Sequence, residues 1–119
     1  MDEKDSLLDL SFLRNFTNNE EEKLRYYINV YIKTALQLFG EIETKLEALP
    51  YDELYSRVHS LKPQARYVGI KGLAALLTEI EEDIKANADR DSVRKKLEAV
   101  IDLNKRGIKE LESYLSTSN

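Results

Sequence analysis

Apolar residues recur along this chain at intervals of three and four, with polar residues between them, which is the period of an amphipathic helix. Leu7, Leu8, Phe12, Leu13 and Phe16 predict a short helix from Leu7 to about Phe16. Leu24, Ile28, Tyr31, Ala35, Leu38, Ile42 and Leu49 predict a second from about Asn19 to Leu49, with Thr17 to Glu20 offering cap residues and Glu20 to Glu22 favouring its first turn. After Pro50, Asp52 is placed to cap a third helix whose stripe is Leu54, Val58, Leu61, Ala65 and Val68, and Gly69 suits its end. Ile70, Leu73, Leu77, Ile80 and Ile84 form a fourth stripe, and Asn87 to Asp91 is a polar break. A last helix from about Asp91 to Leu115 carries Val93, Leu97, Val100 or Ile101, Ile108, Leu111 and Leu115, interrupted at Asn104 and Gly107. No run of strict alternation predicts a strand. The expected fold is all-α: an antiparallel up-and-down four-helix bundle, with the short N-terminal helix packed on it as a lid.

Composition narrows this further. The 119 residues are one domain's worth, expected to span 1–119 with a core of about 7–115. With no cysteine, disulfides, thiolate metal sites and cysteine nucleophiles are excluded. No apolar run reaches the length of a membrane span, and the acidic MDEKDSLLDL is unlike a signal peptide, so no membrane association and a cytoplasmic location are expected.

The net charge of −4 is unevenly spread. From Leu54 to Thr78 there is no Asp or Glu, yet Arg57, Lys62, Arg66 and Lys71 lie there with His59, the single histidine. His59 follows Val58, so it sits about 100° around the third helix from the buried stripe. Tyr55, Lys62 and Arg66 share its ridge, placing phenol, imidazole, ammonium and guanidinium in a row with no carboxylate near in sequence. A neutral imidazole there has a lone pair to act as base, ligand or nucleophile.

Several chemistries fail on residue type. Metal binding lacks cysteines and a second histidine, and the Glu-x-x-His spacing of di-iron bundles would need glutamate where Ser56 stands. There is no nucleophile elbow, P-loop or Gly-rich kinase loop, so no ATP site of its own is expected. A nucleophilic imidazole beside cations suits accepting a dianionic phosphoryl group.

His59-Ser60-Leu61-Lys62, with Gly69 ten residues after the histidine, resembles the H-x-L-K-G-x-x-x-x-x-G signature of histidine-containing phosphotransfer (HPt) domains, and the helical layout resembles that family over roughly residues 7 to 115. The resemblance implies a helical bundle whose exposed histidine takes a phosphoryl group from a receiver-domain aspartate and passes it on. It implies His59 as phosphoacceptor, Lys62 as phosphoryl stabiliser and Gly69 as the residue keeping the helix end uncrowded. Arg66, Tyr55, Gln64 and Gly69 are then candidates for the phosphoryl or partner face. The chain departs from the signature at Pro63, where the family has glycine. Proline lacks the N–H for the His59 carbonyl, so a helix continuing with a bend is expected, its freed carbonyl open to water or Gln64.

The implied function is a phosphocarrier in a multistep His–Asp relay. It binds no cofactor itself, Mg²⁺ being expected on the receiver. Its implied partners are response-regulator receiver domains, including that of a hybrid histidine kinase, and it is expected as a monomer. A rival reading keeps the basic face but dispenses with His59: a non-phosphorylated helical adaptor for an acidic partner. Nucleic acid is disfavoured by the negative charge. Phe12 and Phe16 are read as core, or as lid packing near the ridge, and Glu79, Glu81, Glu82 and Asp83 as a charged helix face without chemistry.

Overall fold

A computed structural model describes residues 6–45 and 48–117. Five helices follow one another: α1 (Ser11–Phe16), α2 (Glu21–Thr44), α3 (Tyr51–Val68), α4 (Leu73–Lys85) and α5 (Arg90–Thr117). Each of the four long helices packs on the next and α2 also packs on α5, so the ring closes as a bundle, and α1 lies on α3. Among the described residues no helix is long and apolar enough to cross a membrane.

The apolar stripes meet in one core. Leu54, Val58, Leu61, Ala65 and Val68 of α3 are all buried, as are Leu73, Leu77 and Ile80 of α4 and Val93, Leu97, Val100, Ile101, Ile108 and Leu111 of α5. On α2 Phe39 is buried in place of the neighbouring Leu38, which is half-buried at the core's edge. Ile84 and Leu115 likewise sit at the margin.

The ends differ from the sequence expectation where backbone chemistry decides. The first helix begins at Ser11, not Leu7, because residues 6–10 run as a strap instead. The Asp9 N–H donates to the Gly69 carbonyl at 2.8 Å, the Lys71 N–H to the Leu7 carbonyl at 2.7 Å, and Glu110 accepts from Ser6 Oγ and the Leu7 N–H. Asn18 and Asn19 do not cap α2. Both adopt positive φ and close α1, with the Asn19 N–H on the Arg14 carbonyl, so α2 starts only after Glu20. Its helix ends at Thr44; residues 46 and 47 of the expected extension to Leu49 lie outside the described residues. Pro50, not Asp52, is the N-cap of α3, and its carbonyl accepts the Leu54 N–H.

Gly69 ends α3 in the left-handed conformation at φ +68°, as its position suggests. The next stretch does not continue directly as helix. Ile70 pairs with Leu8 in a single β-bridge, and Gly72 at φ +83° precedes α4. Ile70 fits because Gly107 on α5 has no side chain; a Cβ there would come within 2.6 Å of it. Asn104, the other interruption of that stripe, is buried and accepts a 2.5 Å hydrogen bond from the Tyr31 hydroxyl. Burial also pushes the Tyr31 phenol well above its ordinary pKa.

Candidate functional site

Helix α3 runs unbroken from Tyr51 to Val68 with Pro63 inside it. The proline removes the N–H that would bond to the His59 carbonyl. Gln64 does not take its place: its amide reaches the Ser60 carbonyl at 3.5 Å. Continuity through Pro63 keeps Tyr55, His59, Lys62 and Arg66 in helical register on one ridge, held in place by the buried stripe behind them.

His59 stands out from the bundle with its side chain 66% exposed. Its ring stacks on Tyr55, centroids 5.8 Å apart and planes within 9°. The ridge is not free of carboxylates, as the sequence suggested. Helix α4 brings Glu81 against it: Oε2 lies 2.6 Å from His59 Nδ1, and Oε1 accepts from Lys62 Nζ at 2.6 Å. Glu81 is buried, its side chain 7% exposed, and Lys62 is 17% exposed.

These contacts fix the electrostatics of the site. Burial, the largest effect on Glu81, favours its protonated form, but the hydrogen bonds from Lys62 and His59 and their charges together outweigh it and hold the carboxyl below its ordinary pKa. An ionised carboxylate only accepts hydrogen bonds, so Nδ1 is the ring nitrogen that carries the proton toward it. In the neutral ring, Nε2 then holds the lone pair. The pairing resembles the way a buried aspartate orients a catalytic histidine: the acid fixes tautomer and ring plane and offsets positive charge developing on the imidazole.

The other sequence candidates divide. Tyr55 belongs to the site through its stack on His59, and α4 adds Lys85, whose Nζ lies 5.5 Å from the Tyr55 ring centroid. Arg66 is exposed on the same ridge and forms no ion pair among the described residues. Gln64 turns away to line a groove between α2 and α3. Gly69 lies ten residues beyond the histidine, under the strap; a Cβ there would stand 1.8 Å from the Asp9 carbonyl oxygen. Its structural demand is the strap crossing.

Glu81 is the residue of this candidate site that sequence reasoning missed. It follows Leu77 by four positions and precedes Ile84 by three, which places it on the inward side of α4. An acid on a buried stripe requires a cationic or hydrogen-bonding partner, and that was the available signal. Phe12 and Phe16 are corrected in the opposite sense. They are not core: they are 55% and 52% exposed, and Leu13 is the buried residue of α1. They join Tyr27 and Tyr67 in an aromatic cluster on the outside of α1, α2 and α3.

A family model described as Hpt domain matches residues 27–116. No curated protein and no solved structure gives a significant match.

Proposed function

Because this chain belongs to the Hpt domain family, whose role is histidine phosphotransfer in phosphorelays, we propose that it carries a phosphoryl group on His59, taken from a receiver-domain aspartate and passed on to another. The observation that carries this reading is the exposed imidazole with Nδ1 engaged by buried Glu81 and Nε2 left as the nucleophile. The Nε2 lone pair attacks the phosphorus of the receiver's aspartyl phosphate. The N–P bond forms as the P–O bond to the aspartate breaks, and the receiver's carboxylate leaves. Glu81 offsets the positive charge that the ring gains. Lys62, held beside the ring by the same carboxylate, faces the incoming phosphoryl oxygens.

Catalysis on this reading is positioning plus charge stabilisation in a shared interface. The receiver supplies Mg²⁺, its acidic pocket and its lysine; this chain supplies the nucleophile and a docking face. The reading makes the protein a phosphocarrier without an ATP site of its own, acting as a cytoplasmic monomer with receiver domains, such as that of a hybrid kinase, as partners.

The test is intact mass after mixing with phosphorylated receiver domains and Mg²⁺, beside a His59→Gln control. A one-phosphoryl gain that survives base, is lost in acid and is absent from the control is the expected result. Equal gain in the control would refute the assignment of His59. Binding of receivers without any gain would favour a non-phosphorylated adaptor.

A further inference from the structure

Two contacts between α3 and α4 stand side by side. The helices run antiparallel, so four residues backwards on α3 match four forwards on α4, each step covering about 6 Å of helix axis. His59 meets Glu81 on one rung. On the next, Tyr55 meets Lys85, whose Nζ lies 5.5 Å from the centroid of the phenol ring. The stack of Tyr55 on His59, centroids 5.8 Å apart and planes within 9°, joins the two rungs along α3. The first rung holds the imidazole at Nδ1; the second reaches it through a ring face.

Simpler explanations of Lys85 do not account for where its ammonium sits. It is the last residue of α4, and a cation favours the C-terminal end of a helix. That explains a lysine there, not its place over a phenol. Glu81 precedes it by four residues, the spacing of a helical ion pair. Both Glu81 oxygens are nevertheless taken by His59 and Lys62. Among the described residues Lys85 forms no ion pair and no hydrogen bond, and its ammonium lies over the Tyr55 ring instead.

The phenol acts through its face rather than its hydroxyl. Tyr55 is half-buried, and its hydroxyl makes no hydrogen bond among the described residues. The face of an aromatic ring is negative and attracts cations. In the resting protein it attracts Lys85, which pins the phenol. During transfer it favours the positive charge that the imidazole gains as Nε2 bonds phosphorus. With Glu81 at Nδ1 and Tyr55 across one face, rotating the His59 ring costs both contacts, so the Nε2 lone pair keeps one direction.

We infer that Lys85 is a positioning residue for His59 and acts through Tyr55: the ammonium pins the phenol, and the phenol holds the imidazole plane in which Nε2 attacks. Helix α4 thereby holds the nucleophile from two points, Glu81 at Nδ1 and Lys85 by way of the ring stack. The inference rests on the phosphotransfer reading for what the held ring does, not for the hold itself.

The experiment reads the hold and its consequence separately. Wild type, Tyr55→Phe, Tyr55→Leu, Lys85→Met and the Lys85→Met/Tyr55→Leu double variant are compared at fixed pH and ionic strength. Nuclear magnetic resonance follows the His59 ring protons, which a stacked aromatic moves upfield. Phosphoramidate reports the nucleophile without any partner: its P–N bond breaks as Nε2 bonds phosphorus, and ammonia leaves. Helicity by circular dichroism is expected to be unchanged, since neither altered side chain belongs to the buried core. The upfield shift is expected to persist in Tyr55→Phe, shrink in Lys85→Met and vanish in Tyr55→Leu. Labelling is expected at the wild-type rate in Tyr55→Phe, about two- to fivefold slower in Lys85→Met, and at least as slow in Tyr55→Leu. In the double variant the lysine change is expected to add nothing to the loss from Tyr55→Leu. Labelling of Lys85→Met at the wild-type rate, or a loss in Tyr55→Phe equal to that in Tyr55→Leu, would overturn the inference. So would losses that multiply in the double variant, since the ammonium would then act on the phosphoryl group directly. If wild type is not labelled while the ring shifts follow the expected pattern, the phosphotransfer reading falls and the hold stands. If His59 is labelled while its ring shifts ignore Lys85, the hold falls and the phosphotransfer reading stands.

Discussion

His59 Nδ1 lies 2.6 Å from a carboxylate oxygen of Glu81, a residue on the next helix and buried where the histidine is exposed. The same carboxylate holds Lys62, so one acid sets the ring orientation and neutralises the nearest cation. Replacing it with Gln keeps the shape and removes the charge. Glu81→Gln is expected to slow phosphoramidate labelling of His59 by on the order of tenfold, while far-ultraviolet circular dichroism stays unchanged. Labelling at the wild-type rate would remove Glu81 from the site's chemistry.

The pH dependence of that charge has a definite sign. The carboxyl of Glu81 is held below its ordinary value of 4.5 in the folded protein. A group with a depressed folded pKa adds stability above its unfolded pKa and loses it as pH falls through the folded one. The stability difference between wild type and Glu81→Gln, from urea unfolding, should therefore be constant above about pH 4.5 and shrink progressively below it. A difference that persists unchanged into acid would show that the hydrogen bonds, not the charge, supply it.

Lys62→Ala tests the cation from the other side. It leaves the buried carboxylate with His59 as its hydrogen-bond partner from this ridge, so a loss of roughly 1–3 kcal/mol is expected in denaturant unfolding. Transfer from a phosphorylated receiver should slow by on the order of tenfold. Transfer at the wild-type rate in a destabilised Lys62→Ala protein would assign the lysine to holding Glu81 alone.

The bundle and the ridge were legible in the sequence for a common reason: both depend on spacing within one helix. Leu54, Val58, Leu61, Ala65 and Val68 predict the buried side of α3, and that side sets where His59 emerges. Contacts between helices carry no such period. Glu81 reaches His59 across 22 residues and Tyr31 reaches Asn104 across 73, and each polar residue appears in its own helix only as an interruption of an apolar stripe. The first segment misled because Leu7 and Leu8 satisfy a helical pattern while the backbone there is committed elsewhere, Leu7 to Lys71 and Glu110 and Asp9 to Gly69. That commitment turns α1 so that Leu13, rather than Phe12 or Phe16, faces inward.

Gly69 is where the strap can be broken selectively. Its φ of +68° costs an L-residue roughly 1–2 kcal/mol, and the Asp9 carbonyl occupies the place a methyl group would take. Gly69→Ala is expected to lower stability by at least about that amount and to expose the Asp9 and Lys71 amides to hydrogen exchange, while amides of α2 and α5 remain protected. Uniform loss of protection would mean that the strap and the bundle unfold as one unit.

Pro63 offers a gain rather than a loss. The helix continues through it, held by Leu61 and Ala65 in the core on either side, so the proline is tolerated because burial outweighs the missing hydrogen bond. Alanine at the same exposed position restores an N–H for the His59 carbonyl and removes the ring from its path. Pro63→Ala is expected to raise stability by about 1–3 kcal/mol, read as a shift of the urea midpoint at constant slope. Because Glu81 and Tyr55, not the backbone carbonyl, orient the imidazole, labelling of His59 by phosphoramidate should keep its wild-type rate. A stabilised variant with slowed labelling would show instead that the proline shapes the nucleophile, and that the departure from glycine at this position is part of how His59 is presented.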